Sequence, residues 1–275
     1  MTASPESTRP SPGKTPDDPS PARRGRVVAI TSGKGGVGKT LVCANLAAAL
    51  SRRGERVLVI DADLGLANLD VVLNLQPKVT LHDVFTGKAG WEDALLDAPG
   101  GFKVLLAGSG LIEYSRLTPE VRERLQALIV EVAPRYDRIL LDTGAGISDV
   151  VLYAVSLADE VLIVATPEPT AMADAYATIK VLATQQQRSN LLLLVNQARK
   201  VGEGRAVAQQ LQTVLDRFVT LPDGRHPKLR FLGEVALDNA VREAVQRRQL
   251  LLNTYPGAAA SLSLLQIAAR LVDAV

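Results

Sequence analysis

Short runs of consecutive apolar residues alternate along this chain with longer segments of helical spacing. The runs are rich in β-branched residues and do not alternate with polar positions, which is typical of parallel strands covered on both faces. They predict strands at Val27–Thr31, Arg56–Ile60, Lys103–Ala107, Arg138–Asp142, Glu160–Ala165, Leu191–Asn196 and Lys228–Leu232.

Helical segments separate most of the strands. They are predicted at Thr40–Arg53, Thr118–Val132, Asp149–Ser156, Thr170–Gln186, Gly204–Arg217, Asn239–Gln246 and Ala258–Ala274. Regular alternation of the two element types favours an α/β fold, a single doubly wound, mostly parallel sheet with helices on both faces. Since the chain has no internal repeat and no second core, we expect one domain over residues 26–275.

The first 25 residues differ in composition from the rest. They contain six of the fifteen prolines and many Ser and Thr, and they have no apolar face. This composition predicts a disordered tail over residues 1–25. The first 26 residues also carry the whole net charge of +2, so the remainder is neutral. A neutral body argues against a nucleic-acid partner.

Cysteine and hydropathy limit the class of protein further. Cys43 is the single cysteine, so this chain forms no internal disulfide, cysteine zinc cage or iron–sulfur cluster by itself. We expect Cys43 to be a core thiol in a cytoplasmic protein. Trp91 is expected to lie in an exposed helix–loop region, where packing is favoured over contact with a partner. The apolar runs are far shorter than a membrane-spanning helix requires.

A glycine-rich segment joins the first predicted strand to the first predicted helix. It reads Gly33-Lys34-Gly35-Gly36-Val37-Gly38-Lys39-Thr40, which satisfies the phosphate-loop pattern in the structural context that the pattern requires. Glycines let backbone amides wrap a phosphate, and the helix N-terminus adds a positive dipole end. Lys39 is therefore expected to reach the terminal phosphates and the Thr40 hydroxyl to hold Mg²⁺.

Lys34 is a second lysine in the same loop. A second cation acting on its own subunit's phosphates would be redundant, whereas one acting on a partner's phosphates would link nucleotide binding to dimerisation. A solvated loop lysine is the alternative.

Polar side chains follow several predicted strands. Asp61, Asp63, Asp142 and Asn196 all fall at carboxyl ends, where open α/β sheets bind ligands. Carboxylates gathered at one edge repel one another unless a divalent cation lies between them. The pattern therefore predicts a Mg²⁺ site beside the phosphate loop.

The segment from Lys34 to Thr40 resembles the signature of the deviant phosphate-loop ATPases of the MinD and ParA type. The segments Asp61–Asp63 and Leu140–Gly146 resemble their two switches. The longer stretches Asp61–Asp70, Asp142–Ser148 and Thr166–Thr170 are similar to the branch called FlhG, FleN or YlxH, which controls flagellar number and placement. MinD itself usually carries a proline where this chain has Thr143-Gly144.

The resemblance implies ATP/ADP and Mg²⁺ as ligands and assigns roles to the site residues. Lys34 would cross to the partner subunit's ATP, Lys39 would bind the phosphates of its own subunit, and Asp63 would activate the attacking water. Thr40, Asp61 and Asp142 would support Mg²⁺, and Asn196 would hydrogen-bond adenine beside the backbone of Val235–Asp238. The nucleotide-binding set comprises Gly33, Lys34, Gly35, Gly36, Val37, Gly38, Lys39, Thr40, Leu41 and Asn196.

The implied function is an ATP-dependent dimerising switch with slow, partner-stimulated ATP hydrolysis. Implied partners are a second copy of the chain, an FlhF-type GTPase, a flagellar switch-ring protein and a flagellar transcription activator. The tail lacks the Asp-Gln-Ala motif with which many FlhG proteins stimulate FlhF. The last helix, Ala258–Ala274, has Arg270 as its only basic residue, so packing on its own domain is favoured over more than weak peripheral contact with the inner face of the plasma membrane.

Three alternatives stay open on the same fold. One is a MinD-like ATPase for division-site selection, and a second is a ParA-like ATPase for DNA or cargo partitioning. The third is a metabolic ligase or reductase component, although the reductase would need more cysteines than Cys43.

Overall fold

A computed structural model of the protein describes residues 24–65, 67–108 and 118–273. Within them, eight strands form one sheet in the order β3-β4-β2-β5-β1-β6-β7-β8. Neighbouring strands are parallel except for the pair β3 and β4. The strands are β1 (Arg26–Ser32), β2 (Val57–Ala62), β3 (Leu95–Asp97), β4 (Lys103–Leu105), β5 (Arg138–Ala145), β6 (Glu160–Ala165), β7 (Asn190–Ala198) and β8 (Lys228–Ala236).

Helices connect the strands and cover both faces of the sheet. Those of eight or more residues are α1 (Lys39–Ser51), α5 (Pro119–Val132), α6 (Asp149–Ser156), α7 (Pro169–Gln185), α8 (Glu203–Phe218), α9 (Asn239–Gln246) and α11 (Ala259–Val272). The shorter ones are α2 (Leu69–Leu73), α3 (Leu81–Phe85), α4 (Trp91–Ala94) and α10 (Leu251–Thr254), and a 3₁₀ turn covers Ala133–Arg135.

The central strands contribute to a separate core on each face of the sheet. In β1, Val27 and Ala29 belong to one core, while Val28 and Ile30 belong to the other. All four side chains are fully buried. Because successive strand residues point to opposite faces, a strand covered on both sides must be apolar at every position. The doubly wound fold predicted from this pattern is confirmed.

The sequence pattern missed the short edge strand β3 and the short helices near it. β3 lies antiparallel to β4 and pairs Leu95 with Leu105. The exposure expected for Trp91 was wrong, since its side chain is 5% exposed and its indole N–H donates to Glu131 Oε1 at 2.8 Å, whereas the packing role favoured for it is confirmed. The Arg135 guanidinium covers the ring at 4.6 Å from its centroid. Cys43 is buried, as expected.

The sequence predicts a disordered tail at the start of the chain and a helix packed on its own domain at the end. The predicted disordered tail lies outside the described residues up to position 23. The helix α11 packs its apolar side against the sheet, burying Leu264, Ile267 and Leu271. The Arg270 guanidinium donates to the Leu232 carbonyl at 2.7 Å. In the described ranges, no helix has the length and apolar character needed to cross a membrane.

Candidate functional site

The site forms where the direction of chain winding changes. The strands β2 to β5, which follow β1 along the chain, all lie on one side of β1 in the sheet. The strands β6, β7 and β8 lie on its other side. Such a reversal leaves a crevice at the carboxyl ends of the strands, where ligands bind in open α/β sheets. The loop from Gly33 to Gly38 emerges from β1 at this crevice and leads into α1.

The loop backbone adopts a conformation that its glycines allow. Gly38 is the residue before α1 and has a φ of 92°, a left-handed conformation in which a side chain is strained. A Cβ at Gly38 would also lie 2.5 Å from Asn196 Nδ2. The loop borders a cavity of about 730 Å³ that is lined by Gly35, Gly36, Gly38, Lys39, Thr40 and Leu41.

Lys39 lies deep in the site. It is 9% exposed, and burial lowers the pKa of its ammonium group, while the charges of Asp142 and Asp63 act in the opposite direction. A buried cation is costly unless anions surround it. The two aspartates supply part of that charge, and the phosphates of a nucleotide in the cavity would supply more.

Asp61 and Asp142 lie side by side beneath the cavity. They are register partners on β2 and β5 and are 1% and 2% exposed. Burial raises the pKa of Asp142 to about 7, although a hydrogen bond from the Thr40 side chain and the charge of Lys39 act in the opposite direction. Burial, with a further contribution from the Asp142 charge, raises the pKa of Asp61 well above its ordinary value.

These two carboxylates and Thr40 fit the chemistry of a Mg²⁺ site. Asp61 Oδ2 and Asp142 Oδ1 are buried and have no hydrogen-bond partner among the described residues. Oxygen donors left without partners in a buried pair of carboxylates favour a hard divalent cation with its waters. No group of three or more acidic, histidine or cysteine side chains in the described ranges could hold a metal alone. Here the substrate's phosphates and water would complete the ligand set.

The two predicted switch segments meet at the same cavity. Asp63 lines it, and the Asp63 amide donates to Asp61 Oδ1 at 3.2 Å. A Cβ at Gly144 would lie 3.4 Å from Asp63 Oδ1, so the second switch passes directly over the first. The Gly146 amide donates to the Ser32 carbonyl at 2.8 Å, which ties the second switch to the start of the phosphate loop.

Lys34 points away from this cavity, whose described lining does not include it. Its ammonium donates to Thr170 Oγ1 at 2.9 Å and to Glu168 Oε2 at 3.1 Å. Gly33 lies against the backbone of α7, where a Cβ would collide with the Asp174 carbonyl. The structure therefore separates the two lysines of the loop, with Lys39 inside the cavity and Lys34 on α7.

Asn196 is hydrogen-bonded to the backbone of the phosphate loop. Its Nδ2 donates to the Val37 carbonyl at 2.8 Å, and its Oδ1 accepts from the Gln197 amide at 2.9 Å. A smaller cavity of about 200 Å³ lies next to it, with Gln197 and Leu237 among its lining residues. The contact of Asn196 with adenine stays a prediction, and the structure adds a loop contact that the sequence pattern did not predict.

Some residues at the site were given no role by the sequence. Asn68 and Ser148 line the large cavity, and Glu168 and Thr170 hold Lys34. All four lie within the longer stretches of resemblance, Asp61–Asp70, Asp142–Ser148 and Thr166–Thr170. Their roles depend on contacts across the sheet, which a linear pattern does not report.

Comparison with known proteins identifies the family. A family profile described as an AAA domain matches residues 25–195, more than half of the chain. The antiactivator FleN of Pseudomonas aeruginosa is 41% identical over 243 residues, covering 88% of this chain and 85% of FleN. The flagellum site-determining protein YlxH of Helicobacter pylori is 34% identical over 252 residues, covering 90% of this chain and 82% of YlxH. The chain belongs to the FleN and YlxH branch of the MinD/ParA-type ATPases.

Solved structures agree with this family. The cell division ATPase MinD of Pyrococcus furiosus superposes with a TM-score of 0.75 at 27% identity, covering 91% of this chain and all of that one. MinD of Pyrococcus horikoshii, solved with Mg-ADP, has a TM-score of 0.72 at 26% identity and covers 90% of this chain and 95% of that one. The predictions of a MinD/ParA-type fold and of a regulator of flagellar number are confirmed.

Proposed function

We propose that this member of the FleN and YlxH branch is a Mg²⁺-dependent ATPase that dimerises when it binds ATP and returns to monomers after hydrolysis. The observation that carries the proposal is the separation of the two loop lysines. Lys39 lines the cavity, whereas the ammonium of Lys34 lies on the outside of the loop, 2.9 Å from Thr170 Oγ1. A cation placed outside its own site is positioned to serve the site of a second subunit.

Each residue of the cavity has a task in phosphoryl transfer to water, which depends on positioning and charge neutralisation. The loop amides and Lys39 hold the phosphates. Thr40, Asp61 and Asp142 would hold Mg²⁺, which would neutralise charge on the phosphates. Asp63 would orient the attacking water, since it lines the same cavity as the loop.

The base of the nucleotide would occupy the smaller cavity behind the loop. Leu237 lines that cavity, and the Asp238 carboxylate caps α9 by accepting from the Ala240 amide at 2.9 Å. Asn196 lies between this cavity and the loop, so it can contact the base as well as the Val37 carbonyl.

The flagellar partners belong to the same proposal. The name of the P. aeruginosa relative describes an antiactivator, which supports a transcription activator as one partner of this chain. An FlhF-type GTPase and a flagellar switch-ring protein are further candidates. An ATP dimer presents a composite surface that monomers lack, so each of these partners could read the nucleotide state.

Light scattering of the purified protein tests the dimer directly. With Mg²⁺ and a non-hydrolysable ATP analogue, the molar mass should rise from monomer to dimer, and it should stay monomeric with ADP or with chelator. Lys34→Ala should abolish the rise while retaining nucleotide binding by calorimetry. A wild-type protein that stays monomeric with the analogue, or a Lys34→Ala variant that dimerises normally, would contradict the proposal.

Division-site selection is the second candidate. It is favoured by MinD of Thermotoga maritima, which is 41% identical over 161 residues covering 58% of this chain. Deletion of the gene separates the two functions. Changed flagellar number with normal septa supports the flagellar role, whereas misplaced septa and minicells would support the MinD-like role.

A further inference from the structure

Lys34 is held by two side chains of its own subunit, both at the start of α7. Its ammonium donates to Glu168 Oε2 at 3.1 Å and to Thr170 Oγ1 at 2.9 Å. The two acceptors are far from Lys34 along the chain, and they are brought to it because β6 lies beside β1 in the sheet.

Both sides of this contact are fixed by the fold. On the loop side, Ser32 Oγ donates to the Lys34 carbonyl at 2.8 Å, which sets the direction of the Lys34 backbone. On the helix side, Pro169 begins α7 with a restricted φ, and the helix backbone touches Gly33. The ammonium therefore meets Glu168 without rearrangement of either element.

The charge of Glu168 strengthens the contact. The N-terminus of a helix carries partial positive charge, which disfavours a nearby cation. Glu168 is the residue before α7, so its carboxylate offsets that partial positive charge where Lys34 docks. Without that carboxylate, the helix end would repel the ammonium, and Thr170 alone would offer it a neutral hydroxyl.

We propose that Glu168, assisted by Thr170, is a positioning residue that holds Lys34 on its own subunit and so opposes formation of the ATP dimer. This inference rests on the proposed function, in which Lys34 must cross to the partner's triphosphate. The triphosphate carries more negative charge than one carboxylate and attracts the ammonium away from Glu168. ADP lacks the terminal phosphate and competes less well, so the contact sharpens the distinction between the two nucleotides.

The expected effect is modest, because the side chains of Lys34 and Glu168 are 38% and 61% exposed. Solvent-exposed ion pairs of this kind shift an equilibrium by about threefold. Two such contacts must open for each dimer formed. Removal of both should therefore strengthen dimerisation by about tenfold when the two act independently.

Glu168→Gln tests the proposal against a matched control. The control is Asp174→Asn, which removes the same charge from an exposed position of the same helix. With Mg²⁺ and a non-hydrolysable ATP analogue, sedimentation should show half-dimerisation of Glu168→Gln at about one tenth of the wild-type protein concentration, with Asp174→Asn within twofold of wild type. Because Glu168 also lines the smaller cavity, calorimetry on dilute monomer measures the analogue affinity of each variant, and dimerisation is compared at saturating analogue. Equal or weaker dimerisation of Glu168→Gln than of Asp174→Asn would overturn the proposal.

A second measurement reads the contact without nucleotide or dimer. Acylation of Lys34 by acetic anhydride, followed by mass spectrometry, should be about threefold faster in nucleotide-free Glu168→Gln than in wild type or Asp174→Asn. Unchanged reactivity would overturn the cis contact. Faster acylation in a protein that never dimerises with the ATP analogue would instead overturn the proposed dimer switch, which separates the two failures.

Discussion

Asp61 and Asp142 face each other as register partners on adjacent parallel strands, and both are almost completely buried. Each keeps one carboxylate oxygen without a hydrogen-bond partner among the described residues. Side chains at paired positions of parallel strands point to the same face, so the two carboxyl groups share one small volume in which ionisation of both is unfavourable. In the absence of a cation this arrangement destabilises the folded protein, and we expect Mg²⁺ and nucleotide to relieve it.

Asp142→Asn should stabilise the metal-free protein, because an amide of similar size removes one buried charge. Since the pKa of Asp142 is raised to about 7 by burial, folded protein holds a proton that unfolded protein loses above pH 4. The stability of the wild type therefore falls between about pH 4 and pH 7 and stays low above that range. The gain from Asp142→Asn at pH 8 should exceed the gain at pH 5 by about 3 kcal/mol.

Thermal unfolding in the presence of chelator measures this difference. A gain of about 1 kcal/mol corresponds to a rise of about 2–4 °C in Tm for a protein of this size. Addition of Mg²⁺ and ATP analogue should stabilise wild type more than Asp142→Asn. A variant that is less stable than wild type at pH 8 would show that the buried charge is compensated in some other way.

Asp63→Ala should slow hydrolysis while leaving nucleotide binding intact. Asp63 lines the cavity, and removal of a group that orients or activates water costs about 100-fold or more in rate. Single-turnover phosphate release measures the rate, and the variant should accumulate as the ATP dimer in light scattering. Asp63→Asn removes the charge of this side chain but keeps a group of similar size that can form a hydrogen bond, so it shows which of the two matters. Phosphate release at the wild-type rate from Asp63→Ala would exclude Asp63 from the chemistry.

Asn196→Ala should weaken ATP and GTP binding alike. The substitution leaves the Val37 carbonyl without its 2.8 Å hydrogen bond and loosens the phosphate loop. Loss of a buried hydrogen bond of this kind costs about 1–3 kcal/mol, so we expect roughly tenfold weaker binding of both nucleotides. Calorimetry with ADP and GDP tests it without hydrolysis. Loss confined to the adenine nucleotide would instead assign Asn196 to the base.

The phosphate loop and the buried pair of carboxylates were predictable because they lie in continuous segments with a defined position at a strand end. The spacing of Gly33, Gly38 and Lys39 along one loop predicts a backbone that can wrap a phosphate. Asp61 and Asp142 end two apolar runs, and parallel strands bring such ends to the same edge. The uninterrupted apolar character of β1 also predicts that both faces of the sheet are buried.

Other features depended on which distant segments meet. Lys34 could be singled out as unusual, but its contact with Glu168 requires β6 to lie next to β1. Trp91 is predicted to lie in an exposed region, yet contacts with Glu131 and Arg135, which are distant along the chain, cover its ring. A single sequence reports the conformational preference of each segment, whereas strand order and helix packing decide which charged and polar groups share a volume.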